Sequence, residues 1–319
     1  MGRGGREVAQ EAPAYGGQAV IEGVVMRGPQ YVSLSVRNPE GGVSSMTKRA
    51  LAPSQRNAIL RLPVIRGAFA FWDSLALGIE MLVKSAEIAS PEEAKPSKTA
   101  VDLGVFLGAV LAVVLFILLP AMVTPHLMAA LGIHGQLLAS LIETSLRFLI
   151  LFAYIALVFR MREVQRVLEY HGAEHKVIWA WEKGYGEIME RARRERWDAS
   201  GVAEYLVAKA RTESRLHPRC GTSFLFIVVL CTWVIFLFVT SSNMLMRVLL
   251  RLLLLPVAAG LSYEVLKTSA DKQGIFWRVI RAPGMALQSL TTREPDRSEL
   301  EVAADSLVHL VEAERGAFR

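Results

Sequence analysis

The chain has 319 residues, is 52% hydrophobic with a mean hydropathy of +0.34, and carries a formal net charge of +6. That apolar balance excludes an ordinary solvated domain or a disordered polyelectrolyte and points to a bilayer. Two cysteines, Cys220 and Cys231, exclude a disulfide framework, and the pI of 9.4 requires no nucleic-acid partner because the basic residues flank apolar stretches, where anionic lipid attracts them.

Residues 1–14 are polar and Gly-rich and are expected to be a disordered tail, with no cleavable signal in view. Residues 15–62 read as a small β-rich unit. Gly16-Gly17 and Gly28-Pro29 punctuate its start, and Val32, Leu34 and Val36 alternate with polar residues. Asn38-Pro-Glu-Gly-Gly42 makes a turn, and Val43–Thr47 returns as a strand. Residues 63–100 hold an amphipathic helix, Arg66–Ala89, and a linker, Ser90–Thr99. Phe69, Trp72, Ala76, Ile79 and Val83 form its apolar stripe, which suits the membrane surface or the β-rich unit.

Three stretches are long and apolar enough to span, Val101–Val123, Thr222–Thr240 and Met244–Lys267, and a fourth, Gln136–Phe159, spans if the pair Glu143 and Arg147 is tolerated. Glu143 and Arg147 are four apart, and Met244–Lys267 carries Arg247 and Arg251; these are expected to form a structural ion-pair cluster near the outer face. Residues 101–160 are thus transmembrane helices 1–2 and residues 222–267 are helices 3–4. Between them, residues 161–221 form a helical segment: Met161–Lys183 is expected to be a helix closed by Gly184, and Glu187–Arg211 a charged helix or helix pair broken near Asp198-Ala-Ser-Gly201. In residues 268–319, Ile275–Thr291 is a Pro-kinked apolar segment, and Ser298-Glu-Leu-Glu301 has capping-box spacing ahead of a terminal helix.

Charge sets the orientation. Thirteen of the 36 Lys and Arg residues fall between Arg160 and Arg219, while residues 101–135 and 222–246 hold none. By the positive-inside rule both termini and the 161–221 segment are cytosolic, and the connections near 124–135 and 241–243 are external. The predicted class is a mainly α, polytopic protein of the bacterial inner membrane, with about four transmembrane helices, a small β-rich cytosolic unit and a helical cytosolic segment.

The basic segment contains His171-Gly-Ala-Glu174-His175 and His217-Pro-Arg-Cys220. His171 and His175 share one helix face, a spacing at which two imidazoles clasp one metal while the adjacent Glu174 orients or deprotonates its water. The pattern is the reverse of the zincin motif. A bland alternative stays open, in which two histidines simply pack on an apolar face. His217 and Cys220 lie at the inner membrane plane just before the third span, and with the first pair could complete a tetrahedral zinc site. Four ligands would close the sphere, whereas catalysis needs three and an open position. Cys220 as a nucleophile paired with His217 ranks third. Glu264, at the inner end of the last span, is a candidate extra ligand or supporting partner.

Three motifs in order, Gly16-Gly-Gln-Ala-Val-Ile-Glu-Gly-Val-Val-Met-Arg-Gly28, Tyr170-His-Gly-Ala-Glu-His-Lys176 and His217-Pro-Arg-Cys-Gly-Thr222, resemble the YqhQ-like family of bacterial membrane proteins. The resemblance covers roughly Tyr15 to the C-terminal helix. It implies a metal-dependent enzyme with the metal at these His and Cys positions, and names neither substrate nor reaction. It also draws attention to Gln18, Glu22 and Arg27; Glu22 and Arg27 are expected either to join the site or to pair with each other.

The leading expectation is a zinc-dependent hydrolase at the cytosolic membrane surface, with Glu174 as general base, Arg219 or Arg27 stabilising an anion, and a lipid-linked or membrane-protein substrate. The rival is a membrane assembly or scaffold protein with a structural zinc. A transporter is disfavoured, since neither repeat halves nor paired broken helices are visible.

Overall fold

The computed structural model describes residues 12–51, 59–90, 98–239, 244–272 and 274–316. The expected N-terminal tail therefore lies almost wholly outside the described residues, as do most of the Ser90–Thr99 linker and the 241–243 connection.

Four short strands, β1 (Gly16–Val20), β2 (Gly23–Arg27), β3 (Tyr31–Arg37) and β4 (Val43–Arg49), form an antiparallel meander in the order 1-2-3-4. Gly16-Gly17 thus open the first strand. The β3–β4 connection is the expected one, closed by Asn38 N–H donating to the Gly42 carbonyl at 2.9 Å and with Gly41 at φ 86°. The register puts Gln18, Val25, Arg27, Leu34 and Val36 on one face and Gly17, Val24, Met26, Ser33 and Ser35 on the other.

The first face packs on Met81 of helix α1 (Ile65–Ala89). The second joins the main core with α5 (Arg162–Glu195), α6 (Ala199–Ala210) and α10 (Arg297–Arg315). The alternation in β3 predicts one buried face, yet Ser33 and Ser35 are also fully buried. Helix α10 covers them: Ser35 donates to Asp305 at 2.7 Å, and Ser306 donates to the Ser33 carbonyl at 3.1 Å. The serines are small enough to admit a helix and are hydrogen-bonded within it.

The long apolar helices begin with α2 (Lys98–Val113), a π-turn at Val114–Leu118, and α3 (Leu119–Leu131), continuous over Thr99–Leu131. Helix α4 (Gln136–Val158) returns, and α8 (Met244–Asp271) contains a third long apolar stretch, Val248–Ser269. Among the described residues, three helices are therefore long and apolar enough to cross a membrane. The expected third span, α7 (Thr222–Leu237), is apolar but has 16 residues, about 24 Å of rise, short of a hydrocarbon core of roughly 30 Å. The first span also runs on to Leu131, through the stretch expected to be a loop.

Among these helices Glu143 accepts bonds from Arg147 at 2.5 Å and from both terminal nitrogens of Arg251, one of them at 2.8 Å. Both guanidinium groups lie over the Phe236 ring, at 5.4 and 5.0 Å. Pro120 has no N–H for the carbonyl four residues earlier, and that carbonyl, Phe116 O, accepts from Arg147 Nε at 2.9 Å. Glu143, Arg147 and Arg251 pair as expected, and the Arg247 side chain lies outside the described residues.

Helix α5 runs unbroken for 34 residues, so Gly184 does not close it. Gly184 instead faces the Lys209 stem of α6, where an added Cβ would meet Cε at 3.2 Å. The chain turns only at Arg196, in the left-handed conformation, and Asp198 caps α6 by accepting from Gly201 N–H at 2.9 Å. The amphipathic α9 (Ile275–Thr291) leads to α10, whose capping box is Asp296 with Glu299, two residues ahead of the one predicted: Asp296 N–H donates to Glu299 at 2.7 Å and Asp296 accepts from Ser298 N–H at 2.7 Å.

Candidate metal centre

His171 and His175 project from α5 on one face, and the loop 212–221 is pinned against them. Trp179 Nε1 donates to the Leu216 carbonyl at 2.8 Å, and the Gln288 amide of α9 exchanges two 2.9 Å bonds with the His217 backbone. On the other side the 291–295 strap crosses α5 at Gly172, where a Cβ would come within 2.0 Å of the Arg293 carbonyl. Any side chain at Gly172 would push the strap away.

Loop and strap each give one carbonyl to a histidine. His175 Nδ1 donates to the Arg215 carbonyl at 2.6 Å and His171 Nδ1 to the Thr291 carbonyl at 2.8 Å. With Nδ1 as the donor in both rings, Nε2 carries the lone pair in each. His171 Nε2 lies 3.2 Å from Cys220 Sγ. His175 Nε2 is shut off from solvent and has no hydrogen-bond partner among the described residues. The ligand atoms of His171, His175 and Cys220 all lie within 4.8 Å of one another; ligands of a tetrahedral zinc, bound at roughly 2.0–2.3 Å, stand about 3.5 Å apart. The donor set, its tautomers and the orphaned nitrogen fit a zinc ion.

Glu174 is buried beside this trio, its Oε2 3.6 Å from His175 Nε2 and 3.9 Å from His171 Nε2. Burial raises its pKa, opposed by the two neighbouring histidines, His171 and His217, and by the Gly17 backbone N–H. Burial likewise holds His175 below the usual imidazole range, with Cys220 acting the other way, and brings His217 down to about 4.

His217 stands apart from the trio. Its Nε2 faces Glu182 at 3.4 Å, its ring meets the Trp179 edge-on, and its centroid is 5.8 Å from that of His175. The geometry thus assembles three of the four expected ligands. Arg219 pairs with Glu182. Glu264 is held by Arg66 through two bonds of 2.7 and 2.5 Å, where α1 and α8 cross at Gly67 and Gly260, and is not part of the His171, His175 and Cys220 group. Glu22 and Arg27 do not pair with each other: Glu22, at φ 48°, accepts from Tyr170 at 3.0 Å and Arg166 at 3.2 Å, and Arg27 pairs with Asp73 at 2.5 Å.

A cavity of about 700 Å³ opens onto His171 and Cys220, between β1–β2, α1 and the first turns of α5, with Gln18, Arg27 and Ser74 among its walls. The sequence reading missed Gly17, although the glycine pair was a visible signal. It also missed the two carbonyl acceptors, for which sequence carries none.

The family described as "Protein of unknown function (DUF1385)" matches residues 62–197 and 201–313. The chain is 29% identical over 319 residues to "Uncharacterized protein YqhQ" of Bacillus subtilis (strain 168), covering 95% of this chain and 93% of that protein. No solved structure matches. The three motifs that line the centre and its cavity are therefore set in a chain that belongs to the DUF1385 family, alongside YqhQ.

Proposed function

We propose that this is a zinc-dependent hydrolase working at the cytosolic surface of the bacterial inner membrane. His171, His175 and Cys220 would hold the ion and Glu174 would be the general base. The observation that carries the reading is the orphaned Nε2 of His175, buried beside His171 and Cys220 at the end of a cavity. Three protein ligands leave a position open, which is the pattern of a catalytic zinc and not of a structural one.

When bound, the ion would supply a Lewis acid and lower the pKa of water. The protein's own groups do the rest. The Arg215 and Thr291 carbonyls fix the two imidazoles in one tautomer and orientation. Glu174 accepts the proton of the attacking water at Oε2 and can return it to the leaving group. Burial raises its pKa, and a general base is most effective with its pKa near the operating pH. The Gly17 N–H holds the other side of the carboxylate.

For the membrane, we read α7 as a fourth span with both termini and the 161–221 segment in the cytosol. The alternation of basic and base-free segments supports this.

The test is Glu174→Gln, which keeps shape and hydrogen-bonding reach but cannot take a proton. It should keep zinc and fold, and fail to complement a deletion strain that wild type rescues. A zinc-loaded, stable Glu174→Gln protein that complements fully would leave a structural zinc in a scaffold protein as the reading.

A further inference from the structure

The cavity that ends at His171 and Cys220 has one cationic wall. Arg27 is the one Lys or Arg among its described lining residues; Ala19, Val25, Pro29, Leu77, Val167 and Leu168 supply much of the remainder. Arg27 belongs to the sheet face turned toward α1, and its pairing with Asp73 of α1 leaves each side chain 23% exposed, within reach of a ligand.

The cavity also borders the apolar part of the molecule. Cys220 and Gly221 in its wall directly precede the apolar helix α7. Phe71 of α1 stacks on Phe224 of α7 at 5.3 Å. The outer face of α1, next to the cavity-lining Ser74, exposes Trp72 (68%) and Leu75 (46%). An apolar helix face with aromatic residues beside a span is the composition of a helix lying in the membrane interface. At about 700 Å³ the space takes a ligand of drug-like size and not a folded protein.

We infer that this cavity binds an anionic amphiphile of the inner leaflet, with its acid group on Arg27 and its apolar part along the Leu77, Val167 and Leu168 wall. This deepens the hydrolase reading by naming its substrate class: a lipid or lipid-linked acid. The binding step itself needs no metal. Guanidinium is the side chain best matched to a phosphate or carboxylate, and Asp73 competes with the ligand for it.

Native mass spectrometry of the full-length protein in neutral detergent tests this, with dioleoylphosphatidylglycerol and dioleoylphosphatidylcholine as probes. Wild type should retain the anionic lipid about tenfold better, as loss of a charged hydrogen bond predicts. Arg27→Gln should bring the ratio to about one, and Asp73→Asn should keep or raise it. Leu77→Trp, which fills the cavity, should lower retention. Glycerol 3-phosphate, the head group without chains, should bind far more weakly. His175→Ala, which removes a metal ligand, should leave the ratio unchanged, so failure of the zinc reading would not be mistaken for failure of this one. The inference is overturned if Arg27→Gln keeps the wild-type ratio, which would mean peripheral lipid only. It is equally overturned if Arg27→Gln and Asp73→Asn lower the ratio alike, which would make the pair structural, or if His175→Ala abolishes the ratio.

Discussion

Gly17 lies against Glu174 so closely that a Cβ built on the glycine would sit 2.8 Å from the carboxylate Oε1 and 2.7 Å from the Val25 carbonyl. The first motif of the chain therefore shapes the second, across more than 150 residues of sequence. Gly17→Ala should displace Glu174 or open the β1–β2 ladder, at about 1–3 kcal/mol, the usual range for overpacking. Because the metal ligands lie on other residues, the variant should retain zinc while losing function in the complementation assay. A Gly17→Ala protein as active and as stable as wild type would show that the carboxylate does not depend on this contact.

The charged cluster among the long apolar helices makes a separate prediction. Glu143 is the carboxylate for two buried guanidinium groups, Arg147 and Arg251. Glu143→Gln would leave both underneutralised at a site out of water, and breaking a buried pair by removing one partner costs about 3–5 kcal/mol. Thermal unfolding in detergent should show a large fall in midpoint, whereas Arg147→Met with Glu143→Gln and Arg251→Met together should recover much of it. An unchanged midpoint for Glu143→Gln alone would mean the cluster is hydrated.

Helix α10 gives a pH dependence of known sign. Burial raises the Glu299 carboxyl from its ordinary value of 4.5 to about 7, helped by Asp296 and opposed by Arg166. The folded state thus binds this proton more tightly than the unfolded one. The associated stability is fully present below about pH 4.5 and is lost as pH rises through about 7. With chelator present, to remove any contribution from metal binding, the wild-type unfolding midpoint should fall relative to Glu299→Gln between pH 5 and 8. A parallel course of the two proteins would contradict the shift.

Much of this was legible in the chain, for reasons that are local. The Phe69–Val83 stripe gave the α1 helix, the alternation around Leu34 gave the strand, and His171, Glu174 and His175 share a face by spacing alone. What escaped was set by partners distant in sequence. Gly184 looks like a stop, but packing on Lys209 carries the helix past it. Ser33 and Ser35 look like a solvent face, but α10 covers them. His217 looks as good a ligand as Cys220, yet the Trp179 and Glu182 side chains draw its ring away from the other two histidines. The carbonyls of Arg215 and Thr291 belong to the backbone, which every residue shares, so no side-chain pattern could announce them.

Topology can be tested without reference to the site. Reporter fusions after residues 95, 130, 190, 242 and 300 should read in, out, in, out, in. If α7 and α8 do not cross, position 242 should instead read in, while 300 still reads in because α10 packs on α5. An external signal at 190 would place the histidines on the wrong side for a cytosolic enzyme.

The central claim is that His171, His175 and Cys220 hold a metal, and elemental analysis of the purified full-length protein tests it most directly. Wild type, Glu174→Gln and His217→Ala should each carry about one zinc per chain, as a single tetrahedral site requires. His171→Ala, His175→Ala and Cys220→Ala should each fall well below that while remaining folded by circular dichroism. Wild-type protein purified without chelator that holds no transition metal, or a His175→Ala variant that holds as much as wild type, would contradict the account.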